Sequence, residues 1–134
     1  MTLEAAQAAG AVLVSKEELF EQADILTIHL VLSGRTRSLV GAAELALMKP
    51  TARLINTSRG AIVDEQALIS AVRSKQIAGA AIDVFDIEPL PASHPFRTLD
   101  NVLATPHIGY VSQGLYRTFY EDSVSNIRKW LDSR

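Results

Sequence analysis

The chain has 134 residues, 48% of them hydrophobic and 21% charged, with a net charge of −2; this is one domain of ordinary size, within the roughly 100–200 residues of a single globular domain, and not a disordered chain. Lys and Arg are scattered and the charge is close to neutral, so neither nucleic acid nor an anionic membrane is an expected partner. The absence of cysteine removes disulfides, thiolate metal sites and a cysteine nucleophile together, and no metal site is expected.

From the N-terminus, Leu3 to Ala9 is alanine-rich and closes at Gly10, a C′ residue, after which "AVLV" at 11–14 reads as a strand. This opening has no basic start, and no apolar run reaches the roughly 18 residues of a membrane span, so neither a signal peptide nor an anchor is read and the cytoplasm is the expected compartment. Ser15 and Glu18 have capping-box spacing at the head of a short helix, with Val14 and Leu19 placed as a staple. "ILTIHL" from Ile25 is a second strand. "ELALMK" is a short helix that ends before Pro50, because a residue preceding proline avoids the α region. "ARLIN" is a third strand, and Asp64 caps a helix whose Ala67, Leu68, Ala71 and Val72 share a face. "GAAIDVF" and "NVLATP" are two further strands, separated by a segment in which Pro89, Pro91 and Pro95 forbid a regular element. Tyr116, Tyr120, Val124, Ile127 and Leu131 form a stripe on a long C-terminal helix over 112–132.

Apolar strands separated by helices predict an α/β fold with a parallel sheet covered on both faces. Right-handed crossovers then bring the carboxyl ends of all strands to one edge, where open α/β sheets bind ligands. Three ionisable residues stand just past successive strands: Arg59, Glu88 and His107. Arginine presents a planar fork of donors matched to a carboxylate. Histidine, with an ordinary pKa near ~6.5, exchanges a proton at neutral pH, and a carboxylate on its far nitrogen fixes the tautomer. Together they suit the interconversion of a 2-hydroxy acid and a 2-oxo acid, provided a cofactor carries the hydride. Each also has a plainer reading, as a solvated turn residue. Asp83, inside the apolar "AAIDVF", needs a polar partner if buried, and a polar ligand is the expected one. His29 reads as structural and His94 as a surface residue.

"ELALMKPTARLINTSRGAIVDEQAL", "GAAIDVFDIEPLP" and "NVLATPHIG", in this order and spacing, closely resemble the cofactor-binding domain of the D-isomer-specific 2-hydroxyacid dehydrogenases, from about Ser15 to Gly109. The resemblance implies a doubly wound, Rossmann-like sheet and NAD or NADP as cofactor, NAD favoured. It implies that Arg59 holds the substrate carboxylate of a small 2-oxo or 2-hydroxy acid, that His107 is the proton donor and acceptor, and that Glu88 is its partner. Asp83 resembles the aspartate that recognises the nicotinamide carboxamide. Val31, Thr36, Thr57, Ser58 and Gly109 match positions lining the cofactor, with Val31 where the family often has proline.

No G-x-G-x-x-G occurs among the seven glycines, so the pyrophosphate cradle of such a domain has no counterpart in this sequence. The sheet is therefore expected to be partial, with "ILTIHL" an unpaired apolar edge that invites pairing with another copy. Two functions compete: a hydride-transferring oxidoreductase, or part of one, with weak or no activity by itself; and a non-catalytic cofactor-sensing or oligomerisation module built on the same domain.

Overall fold

Four short apolar runs pair side by side, all in parallel, in the order β1 (Ile25–Ile28), β2 (Arg53–Asn56), β3 (Gly79–Ile82) and β4 (Val102–Ala104). The computed structural model describes residues 2–134. Around the sheet lie α1 (Leu3–Ala8), α2 (Lys16–Gln22), α3 (Ala42–Leu47), α4 (Glu65–Arg73) and α5 (Gln113–Asp132), with single 3₁₀ turns at Gly60–Ile62 and Pro95–Arg97. This is the expected partial doubly wound, Rossmann-type sheet with flanking helices and a long C-terminal helix.

Burial is deepest at β3, which has a neighbour on each side and is buried at three of its four residues; β2, also flanked on both sides, buries two, and β1 alternates exposed and buried. A parallel strand inside the sheet is covered on both faces; one at the rim keeps only its inward side chains dry. β1 pairs with β2 alone among the described residues, and Ile25 is left 64% exposed.

Leu45 of α3, Leu54 of β2 and Leu68 and Val72 of α4 are fully buried, joined by Ile62 and Ile77 from the connections. Burying each of the larger of these contributes about 1.5–3 kcal/mol. The helix starts are set as their sequence predicts. Ser15 Oγ accepts from the Glu18 N–H at 3.1 Å while Glu18 returns the bond to Ser15 at 2.8 Å, and Asp64 caps α4 through the Ala67 N–H at 2.9 Å.

Three expectations need correction. Ala11–Val14 is not a strand: it runs irregularly between α1 and α2, mostly exposed, with no partner strand beside it among the described residues. Without a ladder to join, an apolar run has no reason to become a strand. The strands over "GAAIDVF" and "NVLATP" are also shorter than those runs, ending where the backbone turns to serve Asp83 and Thr105. Finally, "ILTIHL" is a strand only over Ile25–Ile28, and α5, which carries the apolar stripe, buries none of its residues. No described helix is long and apolar enough to cross a membrane.

Candidate active site

The carboxyl ends of β2, β3 and β4 carry the polar chemistry. β2 ends at Asn56, which is only 1% exposed. Both ends of its side-chain amide serve the following turn: Oδ1 accepts from the Ser58 N–H at 3.0 Å and Nδ2 donates to the Arg59 carbonyl at 2.9 Å. Ser58 Oγ donates to the Ile28 carbonyl at 2.7 Å, tying the turn back to β1. Arg59 leaves the turn exposed to solvent, with Nη1 donating to the Ser58 carbonyl at 2.6 Å. Next to it, Gly60 has no room for a side chain, because a Cβ there would stand 2.6 Å from the Asp86 nitrogen and 2.7 Å from the Phe85 carbonyl oxygen. The arginine turn is thus pressed against the segment that leads to Glu88.

β3 ends one residue before Asp83, which is 5% exposed and is the second buried polar residue of the core. Three donors from the loop after β4 converge on its carboxylate. Oδ1 accepts from Thr105 Oγ1 at 2.5 Å and from the Ile108 N–H at 2.9 Å, and Oδ2 accepts from the Gly109 N–H at 2.7 Å. Burial pushes the Asp83 carboxyl up; the donors from Thr105, Ile108 and Gly109, with the nearby His107, outweigh it and leave the group below its ordinary value.

His107 lies inside that bracketed loop at φ +57, in the left-handed region. A non-glycine residue held there costs about 1–3 kcal/mol and persists only where its surroundings over-determine it. The three donors flanking His107 do so. Its Nδ1 lies 2.8 Å from Glu88 Oε2, while Glu88 Oε1 accepts from the Phe85 N–H at 2.9 Å. The hydrogen bonds from His107 and Phe85 hold the Glu88 carboxyl below its usual range. An ionised carboxylate only accepts, so Nδ1 carries the proton and Nε2 is left to exchange one. Both side chains are more than a third exposed, so a ligand can reach them. Beside the pair is a cleft of ≈ 470 Å³ with Phe85, Leu90, Phe96 and Val102 among its walls.

Residues 2–109 match the D-isomer specific 2-hydroxyacid dehydrogenase family, NAD binding domain. The chain belongs to this family. It is 49% identical over 125 residues to the D-3-phosphoglycerate dehydrogenase of Synechocystis, covering 93% of this chain and 22% of that protein. It is 53% identical over 98 residues to the glyoxylate reductase of Aeropyrum pernix, covering 73% of this chain and 29% of the relative. Among solved structures, the phosphoglycerate oxidoreductase of Vibrio cholerae superposes with a TM-score of 0.86 at 36% identity, over 98% of this chain and 42% of that one. The chain thus spans less than half the length of these relatives.

Within this member of the D-2-hydroxyacid dehydrogenase family, Glu88 and His107 meet directly, and the Arg59 turn abuts the loop that carries Glu88. Thr57 is exposed at the carboxyl edge. Val31, 85% exposed, and half-buried Thr36 sit beyond β1, where Thr36 Oγ1 donates to the Val31 carbonyl at 2.7 Å and so shapes the loop. Ser58 and Gly109 are engaged as described, and Asp83 finds its polar partners within the chain.

His29 and His94 differ from their sequence readings. His29 is exposed beyond β1, its Nε2 2.9 Å from Thr27 Oγ1. His94 is largely covered: its Nδ1 accepts from the Phe96 N–H at 3.3 Å, and its Nε2 lies 3.1 Å from Glu65 Oε1 on α4. Sequence reading missed Asn56, Thr105 and Gly60. The cost of burying a polar group without a partner, which marked Asp83 inside "AAIDVF", is a signal that extends to Asn56 at the end of "ARLIN".

Proposed function

We propose that the chain forms the cofactor-facing side of an NAD(P)-dependent D-2-hydroxyacid dehydrogenase site, converting a small 2-oxo acid and the corresponding D-2-hydroxy acid into each other. The observation that carries this is the His107–Glu88 pair, 2.8 Å apart at the carboxyl edge of a parallel sheet with the outer imidazole nitrogen left for proton exchange. The nicotinamide end of a dinucleotide fits this edge, where exposed Val31 and Thr57 line the approach and Ser58, Thr36 and Gly109 form the surrounding turns. Asp83 keeps one lone-pair position for a carboxamide beside its three donors. When bound, NAD(H) or NADP(H) supplies the hydride.

Arg59 holds the substrate carboxylate by paired N–H donors. His107 Nε2 gives a proton to the carbonyl oxygen in the reducing direction and takes it from the hydroxyl in the other. Glu88 accepts Nδ1–H, fixing the tautomer, and its charge favours the imidazolium formed on oxidation.

The test is a chimera. Replacing the matching segment of the Aeropyrum pernix glyoxylate reductase by that of this chain should preserve NAD(P)H-dependent reduction of glyoxylate or hydroxypyruvate, and His107→Asn in the chimera should lower turnover by about 10²–10⁴-fold. A folded chimera indifferent to His107→Asn overturns the assignment and favours the non-catalytic module. The isolated chain, lacking a G-x-G-x-x-G, is expected to be weakly active or inactive.

The rim strand β1, with Ile25 64% exposed and its outer backbone edge unpaired among the described residues, supports self-association of the isolated chain through that edge. A compact monomer in sedimentation at low concentration overturns this part of the reading.

A further inference from the structure

Among the described residues, Asn56 and Asp83 are the two buried polar ones, and they sit side by side at the ends of neighbouring strands, the Asp83 N–H donating to the Asn56 carbonyl at 3.0 Å. Asp83 brackets the loop of His107. The geometry points to a matching part for Asn56: it is a positioning residue that sets the turn presenting Arg59 to a substrate carboxylate. This rests on the reading of Arg59 as the carboxylate anchor.

An asparagine carries both an acceptor and donors, and here each faces the backbone group that needs it. Oδ1 takes the Ser58 N–H and Nδ2 gives to the Arg59 carbonyl, so one rigid amide holds the turn at both Ser58 and Arg59. Burial at 1% exposure makes the bonds costly to lose, because water cannot replace them. The turn is held from two more directions, by Ser58 Oγ on the Ile28 carbonyl and by Gly60 against Phe85 and Asp86. None of these contacts involves the guanidinium beyond its own bond to the Ser58 carbonyl. The turn is thus fixed while the arginine side chain remains exposed for a ligand. An aspartate of the same shape keeps the acceptor for Ser58 but sets a carboxylate oxygen against the Arg59 carbonyl, where neither can donate.

The experiment is an oxalate titration of the ¹⁵N-labelled chain, followed at the Arg59 side-chain Nε–H, for the wild type, Asn56→Asp and Asn56→Ser. Oxalate should bind the wild type, bind Asn56→Asp at least tenfold more weakly at neutral pH, and bind Asn56→Ser with an intermediate loss, while the His107–Glu88 signals stay in place. Protonation of the new carboxyl restores a donor to the Arg59 carbonyl, so the Asn56→Asp defect should shrink as pH falls. Because protonating a buried carboxyl also restores a fold that its charge has weakened, the His107–Glu88 signals are read at each pH, and the defect must be present while they report a folded chain. Equal oxalate affinity in wild type and Asn56→Asp overturns the positioning role. A wild type whose Arg59 does not respond to oxalate overturns the anchor reading itself. Amide exchange in the wild type decides the bracket without any variant: the Ser58 N–H should be protected at least tenfold relative to an unstructured amide, and exchange at the unprotected rate overturns it.

Discussion

The Gly109 N–H donates to Asp83 Oδ2 at 2.7 Å, and a methyl group placed on Gly109 would stand 2.9 Å from that same oxygen. The hydrogen bond and the missing side chain are two aspects of one contact. Gly109→Ala should therefore displace the carboxylate that also holds Thr105 and Ile108, and the loop of His107 with it. In the chimera, turnover should fall about tenfold or more, while stability changes by only about 1–3 kcal/mol. Comparing kcat/KM with the denaturation midpoint of the same variant checks this.

The two carboxylates of the site set an acid limit on stability. Asp83 and Glu88 both lie below their ordinary values of 3.8 and 4.5 in the folded chain. A depressed folded pKa means that the stabilisation is complete above the unfolded value and is lost as pH falls through the folded one. Stability should hold from neutral pH down to about the carboxylate range and then decline as Asp83 and Glu88 take up protons. Urea unfolding across that range should show a shallower decline in Asp83→Asn and Glu88→Gln.

Gly60→Ala tests the contact between the two loops. The added carbon would meet the Phe85 carbonyl and the Asp86 nitrogen, which are backbone atoms with no rotamer to give way. A cost of about 1–3 kcal/mol is expected from the overlap, together with weaker oxalate binding by the chain. A variant as stable as the wild type would show that the loops do not press together here.

His94 pins the proline-rich loop to α4. Its ring accepts from Phe96, faces Glu65 and packs against the Phe96 ring with centroids 4.9 Å apart. His94→Ala should cost about 1–3 kcal/mol by orphaning those partners, and Glu65→Gln, which keeps an acceptor, should cost less. Urea midpoints for the two variants give the comparison.

Much of this was legible in the sequence because the signals were local. Capping at Ser15 and Asp64 needs only residues three apart, and the post-strand positions of Arg59, Glu88 and His107 follow from a parallel sheet having one carboxyl edge. What was not legible depended on partners distant in sequence. Asp83 needs a polar companion, but nothing in "AAIDVF" says that Thr105, Ile108 and Gly109 supply it. His94 lies between prolines and looks solvated until α4 brings Glu65 to it. "AVLV" fails for the opposite reason, since its composition suits a strand while, among the described residues, no strand pairs with it.

α5 extends for 20 residues and buries none of them. Its helicity is therefore held by its own hydrogen bonds and by the Ser112 cap, not by the cooperative core, and a solitary helix of that length melts gradually. The domain should accordingly lose ellipticity in two regimes on heating: a broad, non-cooperative decline from α5, then one sharp step from the sheet and its helices. Ending the chain at Ser112 should abolish the first and leave the temperature of the second where it was.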